Sequence, residues 1–184
     1  METTWIVLAV VAALVVFTVV VYNGLVRKRN EVDNAWSQID VQLKRRLDLI
    51  PNLVETVKGY ATHEREALEA VVTARSHAMA AGATPHEQAQ VDNEITGALR
   101  QLFALAEAYP DLKANQGFVS LQEELANTES RIAYARQFYG DAVEAYNNAI
   151  QAIPGVLVAK LFGFGEREYF EAEVAAREVP KVQF

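Results

Sequence analysis

Residues 45–54 read RRLDLIPNLV. A proline sits inside a stretch that otherwise has the composition of a strong helix, and how it is read decides the fold. With Trp36 at heptad position a, Leu43, Ile50 and Val57 follow at a, Ile39, Leu53 and Tyr60 at d, and Leu47, Val54 and Ala61 at e. This is one broad apolar face of a packed helix. Its phase is unbroken across Pro51, where two separately capped helices would shift it. Pro51 itself falls at b, beside the stripe. A proline inside a helix removes the hydrogen bond to the carbonyl four residues back, here Leu47, and costs about 3 kcal/mol. The sequence therefore predicts a single helix bent at Pro51, with Asp48 and Asn52 placed to engage the freed backbone groups.

Towards the N-terminus, Trp5 to Tyr22 reads WIVLAVVAALVVFTVVVY without a charge, and NGLV extends the weakly polar run to Val26. About 20 helical residues cross a hydrocarbon core of roughly 30 Å. Trp5, Phe17 and Tyr22 are the aromatic anchors of this span, with Trp5 and Tyr22 near its ends, where interfacial aromatics belong. A cleaved signal peptide needs a basic n-region and a small-residue cleavage site. The leading METT carries no base and YNGLVRKR offers no such site, so an uncleaved anchor over residues 1–26 is expected. Arg27, Lys28 and Arg29 follow the span and no cation precedes it. The positive-inside rule places the N-terminus outside and the rest of the chain in the cytoplasm. The same three cations suit anionic lipid headgroups, at about 1 kcal/mol each.

Towards the C-terminus, the first helix is expected to run over 27–80, a rod of about 80 Å at 1.5 Å per residue. AAGATP (80–85) stops it, with Gly82 and Pro85 as breakers and Thr84 as a cap. A second helix over 85–108 carries Val91, Ile95, Leu99, Leu102, Ala106 and Tyr109 on one face. A third, over 118–152, alternates threes and fours through Phe118, Leu121, Leu125, Thr128, Ile132, Ala135, Tyr139, Ala142, Tyr146, Ile150 and Ile153. Three stripes joined by short loops, with no sustained strand alternation, predict an all-α chain: an antiparallel bundle of long helices behind the anchor, spanning 27–175. IPGVLVAKLFGFGEREYFE (153–171) is apolar and short, and Pro154 suits the start of a last helix over 154–172. Docking on its own bundle is expected of this segment, with the membrane interface or a neighbouring subunit as alternatives. Residues 176–184 read as a loose tail.

The net charge of −7 is uneven: residues 1–60 balance to +1 (7 basic, 6 acidic) and 61–184 to −8 (10 basic, 18 acidic). Such a surface argues against nucleic acid. The absence of cysteine excludes disulfides, thiolate metal sites and a cysteine nucleophile. HERE (63–66) lacks the second histidine of a zinc-protease helix, and His63, His77 and His86 share no ligand spacing, so neither metal nor cofactor is expected. Glu166, Glu168, Glu171 and Glu173 read as a solvated acidic face, and Phe118, Tyr134, Phe138, Tyr139 and Tyr146 as core. No nucleophile, base and orienting group can be assembled, which argues against an enzyme. In KRR (44–46), Lys44 and Arg45 face solvent. Arg46 falls on the stripe at d, where it snorkels or pairs with an acid of another helix or subunit. Lys44, Arg45 and Arg46 with Phe162, Phe164, Tyr169 and Phe170 form the candidate interaction patch.

Three stretches together resemble the LemA family of bacterial membrane proteins: YNGLVRKRNEVDNAWSQIDVQLKRRLDLIPNLVETVKGYATHE, YPDLKANQGFVSLQEELANTESRIAYAR and AYNNAIQAIPGVLVAKLFGFGEREYF. They cover most of the chain in family order. Gly140 departs from the asparagine that relatives often carry. The resemblance implies an N-terminal membrane helix in the cytoplasmic membrane and a cytoplasmic bundle, and it supplies no catalytic residues to carry over. One relative takes part in building magnetosome membranes, which suggests membrane shaping by analogy. The expected function is a membrane-anchored scaffold that self-associates and shapes membrane; the alternative is a tethered adaptor that recruits a cytoplasmic protein.

Overall fold

The computed structural model describes residues 2–61, 64–82 and 84–170. Among the described residues six helices follow in order: α1 (Glu2–Lys58), α2 (Arg65–Ala80), α3 (Pro85–Ala106), α4 (Pro110–Lys113), α5 (Gln116–Gln151) and α6 (Gly155–Phe162). The described residues contain no strand. The chain is all-helical, a long apolar N-terminal helix followed by a helical bundle.

α1 continues through Pro51. Its buried positions Val32, Ile39, Leu43, Arg46, Ile50, Leu53 and Val57 keep the three-and-four spacing on both sides of the proline. The carbonyl freed by Pro51 is satisfied from another helix rather than by Asp48 or Asn52. Arg75 Nε, on α2, donates to the Leu47 carbonyl at 3.0 Å. A main-chain bond lost within the helix becomes a tie between α1 and α2.

The single helix expected over 27–80 is corrected by this arrangement. α1 ends at Lys58, and α2 starts at Arg65. Gly59, a poor helix former, follows the last helical residue, and the Tyr60 and Ala61 N–H groups both close on the Val57 carbonyl, at 3.0 and 2.9 Å. The turn lets α2 fold back on α1 and bury Leu68, Val71, Ala74 and Ala78. A straight continuation would have left that face in water. His63 of the HERE motif lies outside the described residues.

α3 starts on a threonine cap. The Thr84 hydroxyl oxygen accepts from the Glu87 N–H at 3.3 Å and its O–H donates to Glu87 Oε2 at 2.8 Å, with Pro85 in the first turn. α5 is capped by Asn115 Oδ1, which accepts from the Phe118 N–H at 3.0 Å. α6 is shorter than the helix expected over 154–172. Gly163 takes a left-handed conformation (φ 73°) and the Phe164 N–H closes on the Ala159 carbonyl at 3.0 Å, which ends the helix. Residues 164–170 follow without regular structure.

The described residues form two compact units. The first comprises 2–37 with 137–168, the second 38–136 with 169–170. The first buries Leu25, Val32, Ala35, Tyr139, Val143, Tyr146, Ile150, Val158 and Ala159. A Cβ on Gly155 would lie 1.9 Å from the Ala149 carbonyl oxygen, so only glycine lets α6 start this close to the end of α5. The second unit packs Ile50, Leu53 and Val57 of α1 with Leu68 and Val71 of α2, Ile95, Leu99 and Leu102 of α3, Leu112 of α4, and Phe118 and Leu125 of α5.

Candidate functional site

In the second unit, four charged side chains meet among apolar ones. Arg46 of α1 is 3% exposed and Asp92 of α3 is 2% exposed. Arg46 Nη1 donates to Asp92 Oδ1 at 2.8 Å, and its Nη2 lies 2.6 Å from Glu129 Oε2 on α5. Arg136, also on α5, takes the other oxygen of Asp92. The Arg136 guanidinium stands 4.6 Å from the centroid of the Phe170 ring. Burial lowers the pKa of Arg46, against the opposing pull of Glu129, with Arg100 adding to the decrease. Burial also pushes Arg136 down to about 10, and the positive charge of Arg46 acts in the same direction. Arg136 remains a cation at neutral pH. The cluster braces α1, α3 and α5 against one another through ion pairs.

The sequence reading offered Arg46 a partner acid without naming one. Asp92 is the residue it missed. The signal was present: Asp92 stands three residues before Ile95 and three after Ala89, inside the buried stripe of α3. A carboxylate there requires a cation facing it.

The residues of the candidate interaction patch lie in different settings. Lys44 and Arg45 are exposed, paired with Asp40 at 2.7 Å and Glu124 at 3.5 Å. Arg46 is buried beneath them and presents no surface. Tyr169 is exposed and Phe170 lies against Arg136, whereas Phe162 and Phe164 belong to the first unit. Of the aromatic residues expected in the core, Tyr134 is 75% and Phe138 51% exposed. His77 lies 2.9 Å from Glu94, and His86 bonds to Gln90 at 3.0 Å. Among the described residues no group of three His, Asp or Glu is placed to hold a metal ion. Glu171 and Glu173 lie outside the described residues; Glu166 accepts from Gln151 at 2.9 Å.

The first unit contains the apolar span. This stretch of α1 is long and apolar enough to cross a membrane, and its side chains over residues 2–17, Trp5 and Phe17 included, are exposed. Tyr22, at the end of the span, packs edge-on against Phe162 (4.9 Å between centroids) and Phe164 (5.5 Å). Arg29 stands 5.5 Å from the Phe164 ring, Arg27 is exposed and Lys28 half-buried. The 164–168 segment is then strapped to α5 by neutral donors. Tyr146 Oη donates to the Gly165 carbonyl at 2.9 Å and Tyr139 Oη to the Glu168 carbonyl at 2.8 Å. Asn147 both donates to the Arg167 carbonyl and accepts from its N–H, each at 2.9 Å. Arg167 reaches Asp33 of α1 at 2.9 Å. Burial raises the pKa of both tyrosines, which favours the O–H these bonds need.

The strapped segment and the cross-braced stripe both lie within residues 35–184, which match the family model of the LemA family. The chain belongs to the LemA family. Among curated LemA-family relatives, Protein LemA of Metamycoplasma hominis is 31% identical over 132 residues, covering 70% of this chain and 58% of that protein. Magnetosome protein MamQ 2 of Paramagnetospirillum magneticum is 26% identical over 190 residues, covering 90% of this chain and 70% of its own length. Magnetosome protein MamQ of Magnetospirillum gryphiswaldense is 25% identical over 179 residues, with 84% and 66% covered.

Proposed function

We propose that this LemA-family protein is a non-enzymatic, membrane-anchored scaffold that self-associates and organises or shapes the membrane. The observation that carries this reading is the pairing of an apolar span exposed over residues 2–17 with a bundle whose only buried charges brace helices, among the described residues. Similarity to proteins named for the magnetosome supports a role at a membrane. Arg27, Lys28 and Arg29 support an N-terminus outside the bacterial cytoplasmic membrane, with the bundle inside. Membrane lipid and further copies of the chain are the partners. The test is electron microscopy of the full-length protein in liposomes, beside a form lacking residues 1–26. Rings, filaments or reshaped liposomes with the anchored form alone are expected. Isolated single bundles on unchanged liposomes would overturn the reading.

A second reading, a tethered adaptor that recruits a cytoplasmic protein, draws on a groove of about 540 Å³ lined by Val54, Lys58, Arg65, Leu68, Glu69 and Val72. Val72 is exposed there without apolar cover. Retention of one defined protein at low salt, released by Val72→Glu, would favour it.

A further inference from the structure

α6 has two unlike faces. Gly155, Val158 and Ala159 are buried in the first unit. Leu157 is 68% and Leu161 73% exposed, one turn apart, and Ile153 just before the helix is 84% exposed. Leaving three large aliphatic side chains in water is costly, at roughly 25 cal/mol per Å² of apolar surface. Two observations within this unit indicate what covers them. The first is position. Phe162 and Phe164 pack on Tyr22, and Gly155 faces Leu25, so α6 is fixed at the point where the apolar span gives way to charge. The second is charge. Residues 3–30 and 145–165 contain Arg27, Lys28, Arg29 and Lys160 and no acidic residue. A second copy would bring like charges together, whereas an anionic bilayer surface answers both the cations and the aliphatic face.

We propose that α6 is an interfacial helix: Ile153, Leu157 and Leu161 insert among lipid acyl chains, while Lys160 and the Arg27–Arg29 cluster hold anionic headgroups. The helix clamps the emerging end of the span at a fixed depth and tilt. This inference rests on the reading of α1 as a membrane span. The chain has no cysteine, which makes single labelled cysteines straightforward. The full-length protein is reconstituted in phosphatidylcholine vesicles with and without phosphatidylglycerol, carrying an environment-sensitive fluorophore at Leu157→Cys, Leu161→Cys, Val10→Cys or Val119→Cys. Labels at Leu157 and Leu161 are expected to be quenched by nitroxide lipids and shielded severalfold from iodide relative to Val119, more so with phosphatidylglycerol. Lys160→Glu is expected to abolish that lipid dependence. Iodide quenching at Leu161 equal to that at Val119 overturns the proposal, and so does shielding from both quenchers, which would mean protein cover. The Val10 label separates the two readings: if it sits in lipid while Leu161 sits in water, the anchor stands and the interfacial helix falls.

Discussion

The two units hold themselves together by opposite means. The first straps an extended segment to α5 with neutral donors, Tyr139, Tyr146 and Asn147, aimed at main-chain groups. The second fixes three helices with the buried pair Arg46 and Asp92, joined by the partly exposed Glu129 and Arg136. The difference follows from what each must hold. An irregular segment exposes main-chain N–H and C=O groups that need partners one by one, and a neutral side chain supplies them at low desolvation cost. Helices satisfy their own main chain and meet through side chains. Apolar stripes of similar residues tolerate slippage, and a buried charge set does not.

The largest expected effect is in the charged unit. Asp92→Ala takes away the carboxylate that Arg46 and Arg136 share, leaving Arg46 with the half-exposed Glu129 alone, and is expected to cost about 3–5 kcal/mol in chemical denaturation. Replacing the set together (Arg46→Met, Asp92→Leu, Arg136→Met) is expected to recover most of that stability. If the triple replacement were as unstable as Asp92→Ala, the brace would contribute net stability rather than register. In the neutral unit, Asn147→Ala removes both bonds to Arg167 and is expected to cost about 1–3 kcal/mol. Faster amide exchange confined to 164–168, with the second unit unchanged, is the signature. Uniform loosening of both units would erase the distinction.

Pro51 tests whether the tie from Arg75 is a response to the proline. Arg75→Met is expected to cost about 1–2 kcal/mol because the Leu47 carbonyl loses its donor. In a Pro51→Ala background the helix supplies that donor itself, so the same change should cost roughly half as much or less. Equal costs in both backgrounds would show that the two are independent. The smallest effect is a pH response. Tyr139 and Tyr146 have folded pKa values raised above the ordinary 10, chiefly by burial. A raised value means that the folded state holds its proton longer. The stability these tyrosines contribute is therefore full below pH 10 and is lost as pH rises past 10 through their folded values. Trp36 lies 5.5 Å from Tyr139, so in a Trp5→Phe background its emission should fall only above pH 10. Tyr139→Phe should remove that fall.

Much of this architecture is written in spacing. The stripe through Ile39, Leu43, Ile50, Leu53 and Val57 fixed the buried face of α1 and its passage through Pro51. The same stripe concealed the break after Lys58. Ala61 continues the phase and is buried, but from a turn, so periodicity alone cannot separate helix from the turn that follows it. Arg46 was visible as a charge on an apolar face, while Asp92 was not singled out because VDNE reads as an ordinary polar stretch until Ala89 and Ile95 are seen to share its face. The strap was illegible. Its bonds join side chains to main-chain atoms 19 to 29 residues away, and no residue pattern marks a carbonyl as an acceptor.

The central claim is that the anchored chain works as an assembly. The most direct test is the mass of the full-length protein in mild detergent, by multi-angle light scattering across a range of concentrations. The account predicts a protein mass of several chains that persists on dilution and falls when residues 1–26 are removed. A protein mass of one chain at every concentration would contradict it.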